Sequence, residues 1–192
     1  MQKVVLASGN RGKLKEMQEV LANTGFELLL QTDFDIIEAE ETGKSFVENA
    51  ILKARHASAA TGLPALADDS GLCVNALQGR PGIYSARYSG ADANDASNNA
   101  KLLAELANHD DRSASFICAL ALVQHADDPR PLICEGQWQG EILHEPRGTN
   151  GFGYDPLFYI PELDCSSAEL PPELKNKHSH RGLALQQLLQ RL

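Results

Sequence analysis

The sequence predicts an α/β fold organised as one domain. Three observations carry that expectation. The chain opens strand–loop–helix–strand, apolar stripes at helical spacing alternate with short apolar runs, and no proline-rich or serine-rich linker divides its 192 residues.

Residues 4–7 form a short apolar run and read as a buried strand. Residues 11–23 follow as a helix: Leu14, Met17, Val20 and Leu21 share one face, and Gly25 suits a C-terminal cap. Residues 26–30 read as a second strand. Ser45 and Glu48 have the spacing of a capping box. The helix they open carries Phe46, Ala50, Ile51, Ala54 and Ala57 on one stripe and ends at Gly62. Residues 65–68 and 72–74 read as strands on either side of an acidic turn. Residues 81–93, rich in Gly, Ser and Tyr, read as loop, and residues 94–108 as helix. Residues 115–125 and 132–141 read as two long strands joined by a turn at Asp127-Asp128-Pro129. Residues 145–155 are expected to be mostly loop, and residues 182–192 a final amphipathic helix with Leu183, Leu185, Leu188 and Leu189.

Composition narrows the function. The net charge of -9, from 17 basic and 26 acidic residues, opposes sequence-independent binding to a nucleic-acid backbone, which needs a basic face. A small anion can still bind where a few basic residues converge. The four cysteines form no CxxC pair, and three of them sit in apolar runs, so free thiols are expected. No basic segment followed by a long apolar stretch opens the chain, and the longest apolar run, residues 118–123, is too short to span a bilayer. Cytoplasmic residence and no membrane partner are the expectation.

The most informative segment is Leu66-Ala67-Asp68-Asp69-Ser70-Gly71-Leu72. Two adjacent carboxylates interrupt an apolar run, a costly placement unless they meet a cation, donors or a proton. Glu40-Glu41-Thr42-Gly43 could join them in an oxygen-rich magnesium site or be a solvated acidic loop. Asn49 and Lys53, four residues apart, share a helix face. Ser8-Gly9-Asn10-Arg11-Gly12-Lys13 joins a strand to a helix N-terminus, where backbone N–H groups and Lys13 suit a phosphate; taken alone, it reads more readily as an ordinary asparagine cap with an exposed lysine. It is not a P-loop, because Leu14 stands where Ser or Thr is required. Gly151-Phe152-Gly153-Tyr154-Asp155 places aromatic rings among glycines, fit to stack on a planar base or to form a packed turn. Lys175 to Gly182 concentrates basic and hydrogen-bonding groups, among them His180 and Arg181.

Taken in order, Ser-Gly-Asn-x-x-Lys, Glu-Glu-Thr-Gly, Glu-Asn-Ala-x-x-Lys-Ala, Ala-Asp-Asp-Ser-Gly-Leu, Pro-Gly-Ile-Tyr-Ser-Ala-Arg-Tyr, Gly-Phe-Gly-Tyr-Asp-Pro and Ser-His-Arg-Gly resemble the inosine triphosphate pyrophosphatase family from the first strand to the last helix. The resemblance implies an elongated mixed β-sheet flanked by helices, two lobes with a central cleft, a homodimer, and Mg2+-dependent hydrolysis of ITP, dITP or XTP to the monophosphate and pyrophosphate. It implies that residues 8–13 hold the triphosphate, that Asp69 is the general base, and that Glu40 and Asp69 bind the metal ahead of Glu41 and Asp68. Lys53 is expected to face the cleft and Ser70 to touch substrate. Phe152, Gly153, Tyr154, Asp155, Lys175, His180 and Arg181 would surround the base, and Asp68 would be supported by a lysine such as Lys53. Ser8 stands where threonine is frequent, and His178 where an aliphatic residue is usual. The alternatives are a pyrophosphatase for modified pyrimidine nucleotides and a non-catalytic purine-nucleotide sensor.

Overall fold

The computed structural model describes residues Met1–Leu192. Its elements are β1 (Gln2–Leu6), α1 (Arg11–Leu21), β2 (Phe26–Leu30), α2 (Phe46–Thr61), β3 (Ala65–Val74), α3 (Asp95–Glu105), β4 (Ser113–Val123), β5 (Leu132–Ile142), β6 (Phe158–Ile160), β7 (Cys165–Ser166), α4 (Pro172–His178) and α5 (His180–Arg191). The seven strands form one open sheet in the order β2-β1-β3-β4-β5-β6-β7. The sheet is mixed: β1 runs parallel to β2 and β3, whereas β6 runs antiparallel to β5 and β7. The α/β prediction therefore holds.

Local chemistry explains the main helices. In α2, Ser45 Oγ accepts from Glu48 N–H, and the Glu48 carboxylate accepts from Lys44 N–H and Ser45 Oγ–H. Gly62 closes the helix in the left-handed region, at φ 69°, with its N–H on Ser58 C=O. Helix α1 stops at Leu21, two residues before the expected end, with Ala22 as its cap rather than Gly25. The loop expected over residues 81–93 contains a short 3₁₀ helix, Gly82–Arg87. Strands β6 and β7 and helix α4 escaped prediction because segments of three, two and seven residues carry too little periodicity to read.

The consequential correction concerns the acidic segment. No turn separates two strands there; β3 runs unbroken from Ala65 to Val74, through Asp68 and Asp69. Gly71 is not among the glycines with positive φ, so the strand needs no turn at that point.

The chain divides into two compact units. The first comprises Met1–Asp69, Cys118–Gly136 and Arg181–Leu192; the second comprises Ser70–Ile117 and Gln137–His180. In the first, strand alternation sorts the core into two layers. Val4, Leu6, Leu66, Leu120 and Leu122 pack with Met17 and Leu21 of α1 and with Ala184, Leu185 and Leu188 of α5. Val5, Ala65, Ala67, Ala119, Ala121 and Val123 pack with Ala50, Ala54 and Ala57 of α2. Small residues on both sides of that second layer let the helix lie close to the sheet. The second unit has an aromatic core, with Phe116 and Trp138 at 4.5 and 5.4 Å from Phe158 between ring centroids. All four cysteines are free thiols, as expected.

Candidate active site

The alternation that sorts the core also separates the two aspartates. Asp68 shares the parity of Leu66 and meets residues of α1 and α5; Asp69 shares the parity of Ala67 and meets residues of α2. Two carboxylates adjacent in sequence thus sit in different surroundings.

Asp68 is 1% exposed and accepts from Lys13 Nζ at 2.9 Å and from Arg181 Nη2 at 3.3 Å. Arg181 also donates through Nη1 to Glu16 at 2.9 Å. Burial alone would push the Asp68 carboxyl up, but the charges of Lys13 and Arg181 prevail and hold it well below the usual carboxylate range. Burial would lower the Arg181 guanidinium, and Asp68 more than reverses this. Lys13 and Arg181 thus favour the charged form of Asp68. Lys53, expected to support Asp68, does so through its charge, while Lys13 and Arg181 make direct contacts. Arg181, expected among the base-contacting residues, has both terminal nitrogens committed to Asp68 and Glu16, which leaves Nε as its unpartnered nitrogen. Glu16 went unnoticed in the sequence, although its position three residues after Lys13 puts it on the same helix face.

Asp69 accepts from Lys53 Nζ at 2.7 Å and from Asn49 Nδ2 at 3.2 Å. Here burial prevails over the Lys53 charge and the carboxyl is pushed up. Lys53 Nζ also donates to Glu41 at 2.9 Å, and the neighbouring carboxylates outweigh burial to raise the lysine. Asp69 and Glu41 thus converge on one ammonium. Glu40 is exposed. Asn49 also accepts Gly43 N–H at 2.9 Å, which ties the acidic loop to α2.

At the start of α1, Asn10 Oδ1 accepts from Gly12 and Lys13 N–H at 2.8 and 3.1 Å, and Ser8 Oγ accepts from Asn10 N–H at 3.1 Å. The asparagine cap is real, and Lys13 is not a solvated lysine. Gly9, Asn10, Arg11 and Gly12 are exposed, and Ser8 and Ser70 are partly so.

In the second unit, the buried Asp155 carboxylate accepts from Phe152 N–H at 2.8 Å, Ser167 Oγ at 2.9 Å and Lys175 Nζ at 2.5 Å. Lys175 Nζ also lies 5.1 Å from the Phe152 ring centroid. Phe152 is 51% exposed, whereas Tyr154 is buried with its hydroxyl donating to Ser85 C=O at 2.7 Å. Of the two aromatics, Phe152 is the exposed one, and Tyr154 belongs to the core. His180 is buried and stacked on Phe116 at 4.8 Å between centroids. Ser167 had no sequence signal. Gly151 sits at φ 77°, and a Cβ there would collide with the Asp155 carboxylate. Gly151→Ala is expected to lose about 1–3 kcal/mol in denaturant unfolding.

With this geometry in place, a family model decides the affiliation: the Ham1 family model matches residues 4–191. The chain belongs to the Ham1 family. Among Ham1-family relatives, a Vibrio cholerae protein named dITP/XTP pyrophosphatase is 56% identical over 190 residues, covering 98% of this chain and 95% of its own. An Aromatoleum aromaticum protein of the same name is 58% identical, covering 99% and 96%. A Ham1 protein from Coxiella burnetii superposes with TM-score 0.95 at 54% identity, over 100% of both chains. A Mycobacterium abscessus nucleoside-triphosphatase, also named dITP/XTP pyrophosphatase, superposes with TM-score 0.77 at 45% identity over 97% of both. No helix is long and apolar enough to cross a membrane.

Proposed function

We propose that this protein hydrolyses non-standard purine nucleoside triphosphates (dITP, ITP and XTP) to the monophosphate and pyrophosphate, removing them from the nucleotide pool. The observation that carries the reading is the pair of adjacent aspartates facing opposite sides of one strand, each held by its own lysine, in a chain whose near-full-length relatives bear that activity in their names. Phosphate chemistry needs both fixed positive charge and a base: Asp68 holds Lys13 for the first, and Asp69 is placed for the second.

In this reading, water attacks the α-phosphorus, the bond to the bridging oxygen breaks, and pyrophosphate leaves. Asp69 takes the proton, in keeping with a carboxyl that burial has pushed up. Residues 8–13 hold the triphosphate, with Lys13 stabilising charge on the leaving group and Asp68 and Arg181 fixing where Lys13 stands. Ser70 contacts substrate. The donor set fits magnesium, a hard ion that takes one or two carboxylates plus water and phosphate oxygens. Asp69 and Glu41 converge on one cation already, the Lys53 ammonium, and Glu40 precedes Glu41 in the chain. Glu40 and Asp69 would hold the ion, with Glu41 retained by Lys53. When bound, magnesium neutralises charge on the phosphate oxygens and organises the attacking water.

Phe152 provides the platform for the base, backed by Asp155 and Lys175. Selection rests on the purine 6-position. A donor there, the His180 imidazole or a backbone N–H, favours the 6-oxo group of hypoxanthine and xanthine and leaves the adenine amine without an acceptor. The same reading takes the working form as a cytoplasmic homodimer.

A pyrophosphate-release panel over ITP, XTP, GTP, ATP and dTTP, with and without EDTA, tests the proposal. ITP and XTP are expected to turn over at least about 10²-fold faster than ATP, and EDTA to abolish release. Equal turnover of ATP and ITP would remove the specificity claim. Preference for dTTP would favour pyrimidine substrates, and ITP binding without release would indicate a sensor.

A further inference from the structure

We infer that Asp95 and Asn99 of α3 are positioning residues for the Phe152 ring, holding the Gly153 backbone from two sides so that the ring is presented ready to stack. The inference rests on the reading of Phe152 as the platform for the base.

Asp95 and Asn99 are four residues apart and share one face of α3. Asp95 Oδ2 accepts from Gly153 N–H at 2.7 Å, and Asn99 Nδ2 donates to Gly153 C=O at 3.0 Å. Both polar backbone groups of a single residue are thus bound by one helix. Gly153 sits in the left-handed region at φ 62°, a geometry that glycine adopts readily but that nothing within the residue itself enforces. On the other side of the ring, Phe152 N–H is bound to Asp155. Tyr154 is bound through its hydroxyl to Ser85. Phe152 and the two residues after it are each held by hydrogen bonds, and the ring itself keeps two rotatable bonds.

The Asn99 amide strengthens the case. Its oxygen is buried with no hydrogen-bond partner, while its nitrogen makes the bond to Gly153. An unmatched buried acceptor is unfavourable, so the side chain's orientation is set by that single donation. A turned amide would put oxygen against the Gly153 carbonyl. The neighbouring Asn98 has a different task, accepting from Ser89 N–H and donating to Ala86 C=O. The two consecutive asparagines therefore serve two separate segments.

A platform fixed in advance loses less freedom when a base stacks on it. Stacking is present in the ground state and the transition state alike, so its loss raises KM and spares kcat. Asp95→Ala and Asn99→Ala are each expected to raise KM for ITP about five-fold, the scale of one net hydrogen bond, with kcat within about two-fold. Inhibition by inorganic triphosphate, which has no base, is expected to stay unchanged. Asp95→Asn keeps an oxygen acceptor for Gly153 N–H and is expected to keep the wild-type KM. Asn99→Asp, of the same size but without the donor, is expected to behave like Asn99→Ala and carries the test should that variant not fold. In a Phe152→Ala background neither alanine variant is expected to change KM further.

An unchanged KM in both alanine variants, a fall confined to kcat, or the same KM increase in the Phe152→Ala background would overturn the inference. A Phe152→Ala protein with wild-type KM for ITP would instead remove the platform reading itself, which separates the two failures.

Discussion

Asp69→Asn is expected to slow pyrophosphate release from ITP by about 10²–10⁴-fold, the usual worth of a positioned general base. The amide is nearly the same size as the carboxylate and keeps one oxygen for Lys53 Nζ, while its NH2 group replaces the oxygen that accepts from Asn49 Nδ2. What it lacks is the ability to take a proton. Stability is expected to change far less than activity. The Asp69 carboxyl is pushed up by burial, so its charged form is disfavoured in the fold relative to the unfolded chain. By linkage, a group raised in the fold contributes stability below its unfolded value and loses that contribution as pH rises through its folded value. Asp69 in turn raises Lys53, so the variant loses a buried charge and that charge's partner together, and its melting temperature is expected to stay close to the wild type's. A steady-state release assay beside a thermal melt reads both. Full activity in Asp69→Asn would sink the mechanism, and a lost fold would mean that Asp69 is mainly structural.

Much of this arrangement could be read from the chain. The helices carrying Lys13 and Lys53 announce themselves by apolar stripes, an asparagine cap and a capping box, and each lies within two residues of the range that periodicity assigned. What could not be read was the division of labour at Asp68-Asp69. A glycine two residues on suggested a turn, and a turn gives no rule for which way each carboxylate points. An unbroken strand does give one, because neighbouring side chains face opposite sides. Once β3 is continuous, Asp68 must meet α1 and α5, and Asp69 must meet α2. The Arg181 pairing was hidden for another reason: it joins residues 113 positions apart, and no local pattern encodes a contact between the start of the last helix and a central strand. Tyr154 and Phe152 looked equivalent in sequence, and only packing distinguishes the core ring from the exposed one.

Asp68→Leu is expected to destabilise the protein by about 3–5 kcal/mol in denaturant unfolding, through the charges it leaves behind rather than the contact it removes. Arg181 is 6% exposed, and without Asp68 its guanidinium keeps Glu16 as its remaining carboxylate partner. Lys13 keeps more access to water and tolerates the loss better. Adding Arg181→Met removes the stranded charge, so the Asp68→Leu/Arg181→Met double variant is expected to be more stable than Asp68→Leu alone. A double variant as unstable as the sum of its parts would show that packing, and not charge, sets the cost. The acid limb of the stability curve offers a second measurement with a definite sign. Asp68 is held well below the ordinary aspartate range, so its contribution is fully present above the unfolded value of about 3.9 and is lost as pH falls below it. While only the unfolded chain binds that proton, stability drops by about 1.4 kcal/mol per pH unit for this one group. Asp68→Asn cannot bind the proton in either state, and its stability is expected to fall less steeply than the wild type's between about pH 4 and pH 2. Equal slopes in the two proteins would mean that Asp68 titrates alike in the folded and unfolded chain, and the charge network at the base of Lys13 would lose its energetic basis.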